Sequence, residues 1–68
     1  MNRRIERLRR QARAWIGRRV DIDRFNGNDL EGVIVAVRED YLVLRIRRNG
    51  ENVRVRVNFT NIEDIDLD

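Results

Sequence analysis

Cysteine, histidine, proline, serine and lysine are all missing from this chain of 68 residues. Most of these gaps close off a class of function. Without cysteine there is no disulfide, and without cysteine and histidine there is no usual zinc site. The absence of histidine, lysine, serine and cysteine also removes the common nucleophiles and neutral-pH bases. Thr60 and Tyr41 carry the only side-chain hydroxyls. The paired carboxylates Glu39/Asp40 and Glu63/Asp64 fall in or beside turns, where acids are expected on any protein. The four glycines are isolated, so no phosphate-cradling loop is present. These gaps predict a protein that is not an enzyme, with no cofactor, no metal and no small-molecule substrate. No apolar run approaches the roughly 20 residues of a membrane-spanning helix. The charged N-terminus lacks the apolar segment of a secretory signal. The expectation is a cytoplasmic protein with no membrane partner.

All 15 basic residues are arginine. Against 12 acids they leave a net charge of only +3, but the charge is unevenly spread. Residues 1–24 hold nine arginines against Glu6, Asp21 and Asp23, a surplus of six positive charges. Residues 25–68 hold six arginines against nine acids, a deficit of three. A basic front and an acidic rear suit an anionic partner for the front, or head-to-tail self-association. Arginine grips phosphate bidentately and stacks on bases better than lysine does. A compositional habit, from a GC-rich genome or an artificial sequence, would also explain the missing lysine.

The length predicts a single domain, 1–68, near the lower limit for unaided folding, so that tight packing and oligomerisation must supply stability. Residues 3–16 read as a helix. Ile5, Leu8, Ala12, Trp15 and Ile16 recur at spacings of three and four, with Asn2 placed to cap the start and Gly17 the end. The stripe assigns Trp15 to packing rather than to base stacking. The rest of the helix is nearly all arginine. Arg3 and Arg4 stand at the end where the helix dipole disfavours cations, so local stability does not explain them. Arg3, Arg7 and Arg10 are the candidate phosphate contacts, with a merely solvated face as the alternative.

Five strands are expected within residues 18–67. Val20 and Ile22 alternate with Asp21 and Asp23, and residues 26–29 form a turn. The stretch from Leu30 to Leu44 is the centre of the pattern. In its first run apolar residues occupy both parities, which requires cover on both faces or a strong bend. Gly32 suits a bulge or a close backbone approach there. Asn49-Gly50 is the strongest hairpin signal in the chain. A two-residue turn sets Arg48 opposite Glu51, Ile46 opposite Val53 and Arg45 opposite Arg54. Arg45, Arg47, Arg54 and Arg56 then share one face, and like charges opposed on a sheet destabilise it. An anion above them, or acids of a neighbouring subunit, would relieve that repulsion; arginines splayed into solvent are the alternative.

The helix ending in glycine, Arg19-Val20-Asp21-Ile22, Leu30-Glu31-Gly32-Val33-Ile34-Val35-Ala36-Val37, Tyr41-Leu42-Val43-Leu44 and the closing Asn61-Ile62-Glu63-Asp64-Ile65 resemble the Sm-like fold over nearly the whole chain. The resemblance implies a mainly β protein: an N-terminal α-helix (3–16), then a strongly bent five-stranded antiparallel small barrel (18–67). It implies a homo-oligomeric ring, hexamer or heptamer, in which the fourth strand of one subunit pairs with the fifth of the next. Arg54 and Arg56 would then lie beside Glu63, Asp64 and Asp66. It also implies RNA as partner. The loop positions with usable chemistry are Arg38, Tyr41, Asn58 and Asn61. The loop after the second strand lacks the family's Asn, and the loop after the fourth lacks its Arg-Gly. Binding of low sequence specificity, mainly through the helix and loop arginines, is what remains, with Arg45, Arg47, Arg54 and Arg56 as further RNA contacts. Two alternatives stand beside this reading: a self-assembling small barrel with no nucleic-acid role, and a monomeric ribosome-associated barrel.

Overall fold

The computed structural model describes residues 2–68. Helix α1 spans Arg3–Ala14. The Asn2 side chain accepts hydrogen bonds from the backbone N–H groups of Arg4 at 3.0 Å and Ile5 at 3.2 Å, satisfying two donors the helix start leaves free. The helix stops two residues before the spacing of its apolar stripe predicts. The Trp15 N–H turns back to the Ala12 carbonyl, and Gly17, at a φ of +87°, gives its N–H to the Ile34 carbonyl at 2.8 Å. The bond to Ile34 ties the chain to the sheet at the point where Ile16 would have continued the helix.

Strands β1 (Arg19–Arg24), β2 (Leu30–Val37), β3 (Tyr41–Arg48) and β4 (Glu51–Asn58) follow, then a 3-10 turn η1 (Phe59–Asn61) and β5 (Ile62–Leu67). All pairings are antiparallel, and the order across the sheet is β4-β3-β2-β1-β5. The fold is thus an N-terminal helix with a mainly β body, as expected. The sheet is open, and its two edges are β4 and β5.

The β3–β4 register is the one the Asn49-Gly50 turn requires: Ile46 faces Val53, Arg45 faces Arg54 and Arg48 faces Glu51. Asn49 and Gly50 both take positive φ, 53° and 80°, as a tight hairpin turn of this hand demands. Gly32 serves close approach and not a bulge. A Cβ there would run into the Arg45 carbonyl oxygen and sit 3.0 Å from Ile46 Cγ2. The break in the β2–β3 register lies further on, between Ile34 and Ala36. The extra residue, Val35, lets both Ile34 and Val37 pair on the inner side, opposite Leu44 and Leu42. The apolar residues at both parities of β2 have their explanation in that break.

The core is wholly apolar. Leu8 and Ala12 of α1 join Val20, Ile22, Ile34, Leu42, Leu44, Phe59, Ile62 and Ile65, all fully buried. At about 1.5–3 kcal/mol for each large buried side chain, this cluster supplies the main driving force for folding. Trp15 is half-buried against it, in the packing role its place on the stripe predicts. Gln11 Nε2 donates to the Ile65 carbonyl at 3.3 Å, fastening the helix to β5.

Candidate nucleic-acid interface

The outward side chains of the β3–β4 hairpin follow from the register. Tyr41, Val43, Arg45 and Arg47 stand opposite Asn58, Arg56, Arg54 and Asn52 respectively. Arg45, Arg47, Arg54 and Arg56 are all exposed, and none forms an ion pair among the described residues. The four predicted arginines therefore do share one face, with Arg45 and Arg54 directly opposed.

At the end of this hairpin the Arg56 guanidinium stacks on the Tyr41 ring, 4.2 Å from its centroid. Such a contact is worth about 0.5–1 kcal/mol at an exposed site and holds both groups in one orientation. Beside it lies an open cavity of about 420 Å³. Tyr41, Arg56 and Asn58 line it together with Asp40, Thr60, Phe59 and Ile5 of the helix. The Phe59 N–H donates to the Asp40 carbonyl at 3.0 Å, which fixes the β2–β3 loop against η1. An aromatic face, a guanidinium, a carboxylate, an amide and a hydroxyl thus converge on one concavity of the size small-ligand sites have.

Two of the four predicted loop residues lie elsewhere. Arg38 is exposed, and its guanidinium bonds only the neighbouring Val37 carbonyl, at 3.4 Å. Asn61 is exposed and uses its carbonyl to accept the Phe25 N–H. Neither lines the cavity. Asp40, Phe59, Thr60 and Ile5 are not among the site residues the sequence predicts. Thr60 follows the predicted Asn58 by two residues in the same loop, which is the only signal sequence offered for it. Ile5 reaches the cavity through the packing of α1 on η1.

The helix arginines divide. Arg3, Arg7 and Arg10 are exposed. A shallow recess of about 240 Å³ gathers Arg10 with Arg9, Arg13 and Glu6, leaving Arg3 and Arg7 outside it. Arg9 is partly buried: its Nε donates to the Glu39 carbonyl at 2.9 Å, and its guanidinium lies 6.0 Å from the Phe59 ring centroid.

The opposite edge of the sheet is acidic. Asp23 pairs with Asp64 and Asp21 with Asp66 across β1–β5. Partial desolvation, then the charges of Asp29, Asp66, Asp64 and Glu63, hold the Asp23 carboxyl above the ordinary aspartate range. Carboxylate oxygens of Asp23, Asp64 and Asp66 lie within 4.8 Å of one another, donors of the kind hard cations take. Asp21, Glu31 and Asp68 form a second group, but there Arg19 pairs with Glu31 at 2.9 Å and with Asp68 at 3.1 Å. Glu63, Asp64 and Asp66 have no arginine partner among the described residues. They lie on the edge strand opposite Arg54 and Arg56, so the chain does not bring these two predicted interface groups together within itself. No protein-family model matches the chain, and no curated protein matches it in sequence.

Proposed function

We propose that this chain is a non-catalytic, Sm-like RNA-binding protein that assembles into a homo-oligomeric ring and grips single-stranded RNA largely through arginines. One observation carries the RNA reading. Four unpaired arginines share the outer face of β3–β4, two of them directly opposed, and one of the four stacks on an aromatic ring that lines a cavity of mixed polar and apolar character. Phosphates above that face would relieve the repulsion, and a base beside Tyr41 would meet an aromatic face and hydrogen-bonding groups. Recognition of this kind is dominated by the backbone and depends strongly on salt. Titration of a labelled single-stranded RNA at low and moderate salt tests it. Binding at low salt that weakens as salt rises is expected; no binding at low salt refutes the reading.

A second observation favours self-assembly. The open edges are β4, bearing Arg54 and Arg56, and β5, bearing Glu63, Asp64 and Asp66. Pairing β4 of one copy with β5 of the next would remove both edges and match opposite charges. The same arginines would then be shared between acids and RNA, and a purely structural assembly is the competing outcome. Light scattering with an absorbance ratio on one column separates the cases. A ring with nucleic acid supports the proposal, a ring that never takes RNA supports pure self-assembly, and a monomer overturns the ring. The double variant Arg54→Glu/Arg56→Glu is expected to dissociate the ring, and an unchanged mass would rule out this edge pairing.

A further inference from the structure

Phe25 is the most exposed large apolar side chain among the described residues, with 57% of its surface open to solvent. Single exposed apolar residues are ordinary on protein surfaces, so exposure alone carries nothing. The setting of this ring carries more. The Arg4 guanidinium lies 5.0 Å from its centroid. Through Nη1 the same guanidinium donates to the Ile62 carbonyl. The Phe25 backbone N–H donates to the Asn61 carbonyl at 3.1 Å. The cation and the backbone that bears the ring are therefore tied to consecutive carbonyls at the exit of η1.

At the other end of η1 a second ring carries an arginine. Phe59 and Thr60 line the cavity where Arg56 stacks on Tyr41. The helix contributes neighbouring residues to the two sides, Arg4 to the Phe25 side and Ile5 to the cavity. Two of the four aromatic residues in the chain, each incompletely buried and each carrying an arginine, thus flank a single three-residue turn. At a rise of about 2 Å per residue, a 3-10 turn of this length spans roughly 6 Å.

We propose that Phe25, braced by Arg4, is a second base-stacking platform, and that a single RNA strand entering at the Tyr41 cavity crosses η1 to lay a following base on Phe25. The inference rests on the RNA-binding reading above. A phenyl face accepts any base, so the platform lengthens the bound segment without adding sequence preference. Arg4 polarises the ring by its charge and stands ready for the phosphate between the two bases.

The test uses the full chain and a fluorescent oligouridylate long enough to cross both platforms, titrated at several salt concentrations. Phe25→Ala is expected to weaken binding about tenfold, the usual loss of one stacked base. The slope of log affinity against log salt should stay unchanged, because no phosphate contact is removed. Phe25→Leu keeps an apolar side chain without a π face and should bind as weakly as Phe25→Ala. Phe25→Trp should bind at least as tightly as the parent. Equal affinity of Phe25→Ala and the parent overturns the platform while leaving the RNA reading standing, as does full binding by Phe25→Leu. A change in oligomer mass with RNA affinity intact would make Phe25 a subunit contact and overturn it too. If the parent chain binds no RNA, both readings fall.

Discussion

The direct opposition of Arg45 and Arg54 leads to a prediction with two signs. Arg54→Gln removes one of two like charges that face each other across β3–β4. Both side chains are exposed, so the repulsion is modest, about 0.5 kcal/mol. In a domain of this size 1 kcal/mol moves the melting temperature by about 4–8 °C, so the variant should melt about 2–4 °C higher than the parent. RNA binding should move the other way. If the four hairpin arginines each neutralise one phosphate, the slope of log affinity against log salt is about −2.8. Raising salt from about 50 to about 200 mM then costs about 50-fold in affinity, and the variant, with a slope near about −2.1, loses only about 20-fold. Differential scanning fluorimetry and anisotropy titrations on one preparation measure both. A higher melting temperature with weaker, less salt-sensitive binding is the expected pair. A lower melting temperature with unchanged binding would refute the reasoning: Arg54 would then serve the acids of a neighbouring subunit alone, with no share in gripping RNA.

Three further outcomes follow from the fold. Gly32→Ala drives a methyl group into the Arg45 carbonyl oxygen and should cost about 1–3 kcal/mol in urea unfolding, with stability equal to the parent refuting the close approach. Phe59→Ala empties a fully buried site and should lose about 3–5 kcal/mol, a large share of the roughly 3–10 kcal/mol expected for a chain of this length; a urea midpoint equal to the parent's would refute the packing role. Asp23 has its carboxyl held above the ordinary range, so the folded state holds that proton more tightly than the unfolded chain does. Its contribution is therefore most favourable in acid and is lost as pH rises from the ordinary aspartate value, about 3.9, through the raised one. Asp23→Asn should accordingly raise the melting temperature at pH 7, with the gain shrinking as the pH approaches 4; a gain that does not depend on pH would exclude charge repulsion as its source.

Where sequence determined local geometry, it could be read. Asn49-Gly50 admits essentially one turn, and one turn fixes the whole β3–β4 ladder, so the shared face of Arg45, Arg47, Arg54 and Arg56 followed residue by residue. Asn2 was legible as a cap because its bonds reach only two and three residues ahead. The helix end was misplaced because Ile16 continues the stripe, while the competing bond comes from Ile34, far along the chain. The β2 break was hidden because apolar residues at both parities fit several registers equally well. The cavity was half legible. Tyr41, Arg56 and Asn58 belong to one hairpin whose register was known, but Ile5 joins them only through helix packing, and that needs three dimensions. Arg9 shows the same limit, since its position among the helix arginines says nothing of Glu39.

The slip at Val35 has a consequence beyond β2. A strand is a wave of period two, and one inserted residue shifts its phase by half a cycle. Upstream of Val35 the inner crests include Ile34; downstream they include Val37. Removing one residue there would cancel the shift, leaving either Ile34 or Val37 out of phase with the core, and Val37 leads directly into the loop that presents Asp40 and Tyr41. The apolar pattern upstream and the cavity downstream are thus written in opposite phases, and a single residue keeps them compatible.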